Sequence, residues 1–397
     1  HGINSVSDEF DKYLNSKIGK KNKNLDILHN FFEKNQLKKL RERSVSIVGT
    51  NGKTSCSFFL NELLRKNNVA TCMFTSPHLV KVNERIKINN NDISDKELSF
   101  YLDQLIKFEE ENNIEFAYFE VIFLIACLHF IQLDLDIFIV EAGIGGMYDT
   151  TSFINADTVC ITNVGFDHTE LLGNTLDEIF IQKINISENP KQIIFGEYDL
   201  YKRHEDYVHN NFEIDEAAIF FNDHQALSTS SIDYEMINFS TSLQVLGAIS
   251  YLLDAKNETN NYSLDDFKKV PGRFEIVSTE PLKIIDGAHN VESLNALLSF
   301  CSSNSEIKGF DIYIGMKKDK NTIEFIKRIA EEKFLNIFLI EDNSFFAQEN
   351  KKVFEDFLNS NDISFSTRTI KDFNLSKNPS ILTGSLYLVG EYKKEYT

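Results

Sequence analysis

The sequence predicts an α/β protein in two parts, a large domain around a mainly parallel sheet and a smaller α/β domain after it. Three observations carry that expectation. Strand-like and helix-like segments alternate through almost all of the 397 residues, which is the pattern of β-α-β units. Strand-like runs such as Ile137-Phe138-Ile139-Val140 are continuously apolar rather than alternating, as in strands buried on both faces of a parallel sheet. The length also exceeds that at which a single core keeps growing, so two domains are the natural division.

In chain order, residues 44–48 read as a short strand. Residues 53–66 follow as a helix with Phe58, Phe59, Leu60, Leu63 and Leu64 at helical spacing. Residues 69–74 are a second strand. Residues 95–112 are a helix with Leu98, Leu102, Leu105, Ile106 and Phe108 on its apolar side, and 119–132 a buried helix. The strand 136–140 comes next and 158–164 repeats it. Residues 175–187 are helical, 193–195 a strand and 240–254 helical. A polar loop is expected at 256–261, and Pro271-Gly272 is the clearest breaker pair in that region. It sets the domains at 1–270 and 271–397. The second series has strands near Ile276, Ile284 and Ile312, helices at 291–301 and 322–332, a strand at 335–340, another helix, and a final Leu382-Thr383-Gly384-Ser385 turn.

Composition narrows the function. Hydrophobic content of 42% and charged content of 25% are those of an ordinary globular chain. A net charge of −19 argues against nonspecific binding to nucleic acid or anionic membranes. Cys56, Cys72, Cys127, Cys160 and Cys301 are scattered without Cys-x-x-Cys spacing, as reduced buried thiols of a cytoplasmic protein are. The longest apolar stretch, 121–131, contains His129 and is too short to span a bilayer. Residues 1–10 lack a signal-peptide core, and His1-Gly2 reads as a tag remnant.

The most informative motif joins the first strand to the first helix: Gly49-Thr50-Asn51-Gly52-Lys53-Thr54-Ser55. A glycine turn there aims backbone N–H groups and the positive end of a helix dipole into one concavity. Lys53 adds a mobile positive charge, and the hydroxyls of Thr54 and Ser55 suit Mg2+. The pattern is a cradle for the phosphates of ATP. Three further strand ends carry polar groups, and ligands of open α/β sheets bind outside the carboxyl ends of strands. Glu141 precedes Ala142-Gly143-Ile144-Gly145-Gly146 and is placed to coordinate Mg2+; Asp167 and His168 would reach the same crevice. At the end of 69–74, Ser76 offers a hydroxyl to metal and His78 a contact to substrate. Lys183, read alone, is a solvated surface lysine. In the second domain Asp286 and His289 occupy a strand–turn–helix junction suited to ribose hydroxyls and to a base or phosphate. Arg273 sits at the expected hinge, placed to clamp phosphates.

Together these segments resemble the folylpolyglutamate synthase/dihydrofolate synthase family, the folate branch of the Mur ligase superfamily. Besides the glycine turn, the matching runs are Thr-Ser-Pro-His-Leu (75–79), Asn-Glu-Arg-Ile (83–86), Phe-Glu-Val-Ile (119–122), Glu-Ala-Gly-Ile-Gly-Gly (141–146), Ile-Thr-Asn-Val-Gly-Phe-Asp-His-Thr (161–169) and Leu-Gly-Asn-Thr (172–175). Pro-Gly-Arg-Phe-Glu (271–275), Asp-Gly-Ala-His-Asn (286–290), Gly-Met-Lys-Lys-Asp-Lys (315–320) and Thr-Gly-Ser-Leu-Tyr-Leu-Val-Gly-Glu (383–391) follow in the family order.

The resemblance implies a large P-loop NTPase domain and a smaller Rossmann-like C-terminal domain. It implies ATP-dependent addition of L-glutamate to a folate or dihydropteroate carboxylate through an acyl phosphate, in a cytoplasmic monomer. By analogy Ser76, Glu141 and His168 match magnesium positions, with two Mg2+ sites. Lys183 matches a carbamylated lysine, Arg273 and Asp286 match nucleotide contacts, and Phe119 and Glu120 fall where relatives contact the pterin-bearing substrate. The chain departs from the family at Thr54, where the loop usually reads Gly-Lys-Gly-Ser, and at Met147 and Ser152, in place of an arginine and an asparagine. The ATP-contacting asparagine is expected to be replaced by Leu246 or Gly247. A peptidoglycan-branch ligase is disfavoured because Asp286-Gly287-Ala288-His289-Asn290 lacks that branch's Asp-Tyr-Ala-His-x-Pro form. Only 43 residues precede the first strand, too few for its UDP-binding domain. A regulatory module that has lost activity would be expected to lack Lys53, Glu141 or His168, and all three are present.

Overall fold

A computed structural model describes residues 6–222, 234–253, 262–267, 270–303, 309–317 and 322–397. The polar loop expected at 256–261, residues 318–320 of the Gly-Met-Lys-Lys-Asp-Lys run and the terminal His1-Gly2 lie outside them. Contacts divide the chain into two units. The first holds most of the chain up to Phe267; the second holds the chain from Lys268 onward together with Leu79–Lys81.

The first unit is built on an eight-stranded sheet. Its strands are β1 (Ser44–Val48), β2 (Thr71–Phe74), β3 (Ile86–Ile88), β4 (Asn91–Asp92), β5 (Ile137–Glu141), β6 (Thr158–Ile161), β7 (Gln192–Phe195) and β8 (Ile219–Phe221), in the order β4-β3-β2-β5-β1-β6-β7-β8. The run from β2 to β8 is parallel; β3 and β4 add an antiparallel edge. β1 lies between β5 and β6, with Ile47 opposite both Glu141 and Cys160. The chain moves to opposite sides of β1 there, so a crevice opens at the carboxyl ends of β1, β5 and β6. The apolar character of β1, β5 and β6 follows from that central position: all of their residues are buried.

Three expected elements are recast, and the strands β3, β4 and β8 and the helices Val6–Asn15, Lys34–Arg43 and Tyr198–Asn211 are not among the expected ones. The helix expected over 95–112 is two, Asp95–Phe100 and Leu102–Asn112. Tyr101 breaks it because its ring is drawn into the core, its hydroxyl 2.6 Å from His129 Nδ1, while Phe100 turns outward. The strand expected to reach residue 164 ends at Ile161, after which the chain turns to follow the glycine loop. The helix expected from 240 begins at Tyr234 and ends at Ala248. It packs on the helix Lys53–Lys66, with the Phe59 and Phe239 rings edge to face at 5.6 Å. The helix Tyr118–Gln132 is buried along most of its length, as its uninterrupted apolar sequence requires.

The second unit carries a six-stranded sheet of β9 (Glu275–Thr279), β10 (Leu282–Ile285), β11 (Phe310–Ile314), β12 (Leu335–Ile340), β13 (Phe365–Arg368) and β14 (Ser380–Thr383), ordered β13-β12-β11-β14-β10-β9. All pairs are parallel except the β9–β10 hairpin. β13 and β14 escape the sequence reading because each is only four residues long, β13 between Ser364 and Thr369 and β14 between Pro379 and Gly384; β14 is a strand because β10 and β11 pair with it on both sides. Among the described residues no helix is long and apolar enough to cross a membrane.

Phe138 tests this core. It is fully buried on β5, and its ring lies 5.1 Å from Phe130 and 6.1 Å from Phe123. Phe138→Ala is expected to cost about 3–5 kcal/mol, read as a lower denaturation midpoint with an unchanged slope. A loss under about 1 kcal/mol would place Phe138 outside the core.

Candidate active site

The glycine turn takes its shape from residues that follow β6. Thr50 N donates to Asn163 O at 3.1 Å, Asn51 N to Asn163 Oδ1 at 2.9 Å, and Thr162 Oγ1 to Asn51 O at 2.6 Å. Gly165 N donates to Thr50 Oγ1 at 2.8 Å. The fit leaves no room for a side chain at Gly49, where a β-carbon would stand 1.8 Å from Thr162 Oγ1. Gly52 is left-handed, with φ of 82°, and caps the helix Lys53–Lys66. The first amides of that helix have no partner within it, which makes its start an anion-binding end. Ser55 lies in its first turn.

Lys53, Thr54, Ser76, Glu141 and Lys183 meet at this turn. Glu141 is only 2% exposed; its Oε1 accepts from Thr54 Oγ1 at 2.8 Å and its Oε2 from Ser76 N at 3.3 Å. Lys53 Nζ and Lys183 Nζ each donate to Gly49 O at 3.0 Å. Lys183 is buried, not the solvated surface lysine that its sequence context alone suggests. Its amine is pulled down to about 7, by burial first and then by the charge of Lys53. Asp167 and Asp149 oppose that shift, which places both carboxylates within electrostatic reach of the amine. His168 caps the short helix Thr169–Leu172 with φ of 49°. Its ring nitrogens lie 3.8 Å from Asp167 Oδ1 and 3.9 Å from Glu170 Oε1. Among the described residues no group of three or more His, Cys, Asp or Glu side chains is disposed to hold a metal ion. The oxygen groups that meet here are instead the Thr54 hydroxyl and the Glu141 carboxylate, with Ser76 held beside them through its backbone N.

Comparison with known proteins decides the family. Residues 47–247 match the Mur ligase middle domain. The dihydrofolate synthase/folylpolyglutamate synthase of Buchnera aphidicola from Schizaphis graminum is 30% identical over 402 aligned positions, covering 96% of this chain and 94% of that protein. The chain belongs to the Mur ligase family, in its dihydrofolate synthase/folylpolyglutamate synthase branch. The Bacillus subtilis protein of the same name is 28% identical, covering 89% of this chain and 90% of its own. The fold is shared with the bifunctional folylpolyglutamate synthase/dihydrofolate synthase of Yersinia pestis, solved with AMPPNP and Mn ion. That likeness has a TM-score of 0.81 at 22% identity and covers 99% of this chain and 98% of that one. E. coli FolC, solved with DHPP and ADP, gives a TM-score of 0.77 at 20% identity over 98% and 97%.

In this ligase the loop after Glu141 is held by a buried acid that sequence reading passed over. Asp149 Oδ1 accepts from Gly143 N and Ile144 N, each at 3.1 Å, and Oδ2 accepts from Thr151 N at 3.1 Å and Thr151 Oγ1 at 2.5 Å. Burial pushes its carboxyl up and these four donors hold it back. Gly146 has to be glycine, since a β-carbon would stand 2.5 Å from Lys183 O. Met147, where the family has arginine, docks through its backbone: its N donates to Gln182 O at 2.7 Å. Phe119 borders this loop, its ring 3.0 Å from the β-carbon position of Gly143.

Two expectations need correction. Glu120 does not face a ligand: it is fully buried and accepts from Asn24 N, Asn24 Nδ2 and Ala117 N at 3.3, 3.0 and 2.9 Å. Its carboxylate ties residue 24 to the start of the helix Tyr118–Gln132. The polar residue that reaches the glycine turn from the helix Tyr234–Ala248 is Asn238, not Leu246 or Gly247. Its Oδ1 lies 2.4 Å from where a Gly52 β-carbon would stand. The earlier helix start accounts for the miss, and the signal was a lone asparagine four residues before Ser242, whose hydroxyl donates to Cys56 O at 3.0 Å.

His78 is neutral, its Nδ1 accepting from Arg85 Nε at 2.9 Å; burial first and then the arginine's charge bring it down to about 4. Arg85 lies over the Tyr118 ring at 5.4 Å. In the second unit, Asp286 Oδ2 accepts from Phe274 N and Oδ1 from Ala288 N, both at 2.7 Å. Its carboxyl is raised by burial, against the charge of Arg273. His289 Nδ1 lies 3.1 Å from Gly287 O.

Glu120→Ala strands three buried donors, so it is expected to lower stability by about 1–3 kcal/mol. Turnover per folded molecule should remain within about twofold. A large rise in the folate KM at unchanged stability would return Glu120 to the substrate site.

Proposed function

We propose that the chain is an ATP-dependent ligase that joins L-glutamate to the carboxylate of a folate or of dihydropteroate. The observation that carries this reading is the meeting of Lys53, Thr54, Glu141 and Lys183 at one glycine turn, in a chain of this family. A carboxylate is a poor electrophile. Transfer of the γ-phosphoryl group forms a bond from the substrate carboxylate oxygen to phosphorus and breaks the bond to ADP. The deprotonated amine of glutamate then attacks the acyl carbon, and the carbon–oxygen bond to phosphate breaks.

The chain's own contribution is placement and charge. The amides of the glycine turn and Lys53 would hold the β- and γ-phosphates, against the strong negative field of a −19 protein. The hydroxyl of Thr54, the carboxylate of Glu141 and the adjacent Ser76 are hard oxygen donors that fit Mg2+, which usually adds phosphate and water oxygens to one or two carboxylates. Bound there, it would spread the charge that builds on the transferring group. A threonine in place of the family's usual glycine at 54 adds one donor to this set.

For a second ion, Lys183 is proposed to be carbamylated and to act with His168. Carbamylation needs a neutral amine, and a buried lysine beside Lys53 supplies one. The amine nitrogen bonds to the carbon of CO2 and loses a proton, which turns the side chain into an oxygen donor. His78 and Phe119 are proposed as substrate contacts, and Asn238, Arg273, Asp286 and His289 as nucleotide contacts. The ligase is proposed to work as a monomer in the cytoplasm.

Phosphate release with ATP, Mg2+, L-glutamate and either dihydropteroate or tetrahydrofolate tests the reading. Release should need glutamate and one of the two pterins, and their ratio reports which activity dominates. Glutamate-dependent release with neither pterin would overturn the folate assignment. Lys53→Ala should lower kcat by about 10²- to 10³-fold or more while the circular dichroism spectrum stays the same; retained turnover would remove the glycine turn from the mechanism. Lys183→Ala should lose activity that short carboxylates partly restore, and the native protein should carry the mass of one CO2. Normal turnover by Lys183→Ala would end the carbamate proposal.

A further inference from the structure

The turn that carries Arg273 is held on both sides by carboxylates. Gly272 N donates to Glu275 Oε2 at 2.8 Å, and Phe274 N donates to Asp286 Oδ2 at 2.7 Å. Arg273 N donates to Val270 O at 3.1 Å, and Gly287 N to Gly272 O at 2.9 Å. The backbone is left-handed on either side of the arginine, with φ of 71° at Gly272 and 46° at Phe274. A phenylalanine enters that region only against steric resistance. Here its ring is secured edge to face on Phe300, 4.4 Å between centroids.

Glu275 is in turn gripped by Lys393, whose Nζ donates to Oε1 at 2.8 Å and to Oε2 at 3.0 Å. Lys393 belongs to the C-terminal helix Leu386–Tyr396. Leu386 and Lys393 are seven residues apart and so lie on one helix face. Leu386 Cδ2 packs on the same turn, 3.4 Å from the β-carbon position of Gly272 and 2.2 Å from that of Gly287. One face of the helix therefore meets the arginine turn twice, once through packing and once through charge.

We propose that Glu275 and Lys393 form a positioning pair for Arg273. A carboxylate two residues from a guanidinium is a natural partner for it. Lys393 occupies both oxygens of Glu275, which keeps that carboxylate on Gly272 N and leaves the arginine's charge available to an anionic ligand. The inference rests on the reading of Arg273 as a phosphate contact. Neither Glu275 nor Lys393 touches the nucleotide in this scheme; both act through the turn.

A double-mutant cycle on the full chain separates this from a general structural role. Steady-state kinetics would be measured for Lys393→Met, Arg273→Ala and the double variant, with thermal unfolding followed in parallel. Lys393→Met is expected to lower kcat/KM for ATP about tenfold, as a misaimed group does, and Lys393→Arg to restore most of it. In the Arg273→Ala background the same change should cost less than about twofold, because the group it aims is gone. Equal losses in both backgrounds would overturn the proposal, as would full activity of Lys393→Met beside an impaired Arg273→Ala. If Arg273→Ala alone is fully active, the phosphate-contact reading fails first and the pair falls with it. Should Lys393→Met not fold, Glu275→Gln, which keeps an acceptor for Gly272 N but loses the charge, completes the same cycle with the same outcomes.

Discussion

The seam between residues 49–52 and 162–165 is what the first unit's chemistry depends on. A glycine turn has no fixed shape of its own, because its two glycines lack the side chains that restrict backbone angles. Here Asn163 gives its carbonyl to Thr50 N and its side chain to Asn51 N, while Thr162 caps Asn51 O. Three bonds from one neighbouring segment fix the directions of amides that would otherwise wander. The parallel pairing of β1 with β6 brings that segment alongside.

The same turn explains how two lysines occupy one small region. Gly49 O accepts from both Lys53 and Lys183, so each amine has a partner although like charges repel. Burial settles the conflict at Lys183, whose amine is held down to about 7. Lys53 acts on it as the neighbouring positive charge, with Asp149 and Asp167 near enough to Lys183 to moderate the field. Asp149 does double service, because its other contacts shape the loop after Glu141.

Hydrogen-bonded carboxylates recur as fasteners of turns in both units. Glu120 ties residue 24 to a helix start, Asp149 holds the Gly143 loop, and Asp286 joins the turns at Phe274 and Ala288. Glu120 and Asp286 appear in the motif runs, and a motif by itself does not separate a carboxylate that faces a ligand from one that accepts backbone amides. Glu141, by contrast, lies at a strand end beside a helix start, and its partners are the hydroxyl of Thr54 in that helix's first turn and the backbone amide of Ser76.

The sequence by itself determined the α/β class, the order of the central strands and the helices between them, the glycine turn and the family, because these rest on local periodicity and on short ordered motifs. It also put Glu141 at the end of a strand, since a strand end is readable from the apolar run before it. Tertiary structure decided the split at Tyr101, the strand character of 380–383, the burial of Lys183, the inward turn of Glu120 and the approach of Asn238 to Gly52. Each of these depends on which distant segment lies alongside: His129 for Tyr101, β10 and β11 for β14, the glycine turn for Lys183, residue 24 for Glu120. Contacts between residues far apart in the chain leave no periodic trace in it, so only the folded arrangement assigns them.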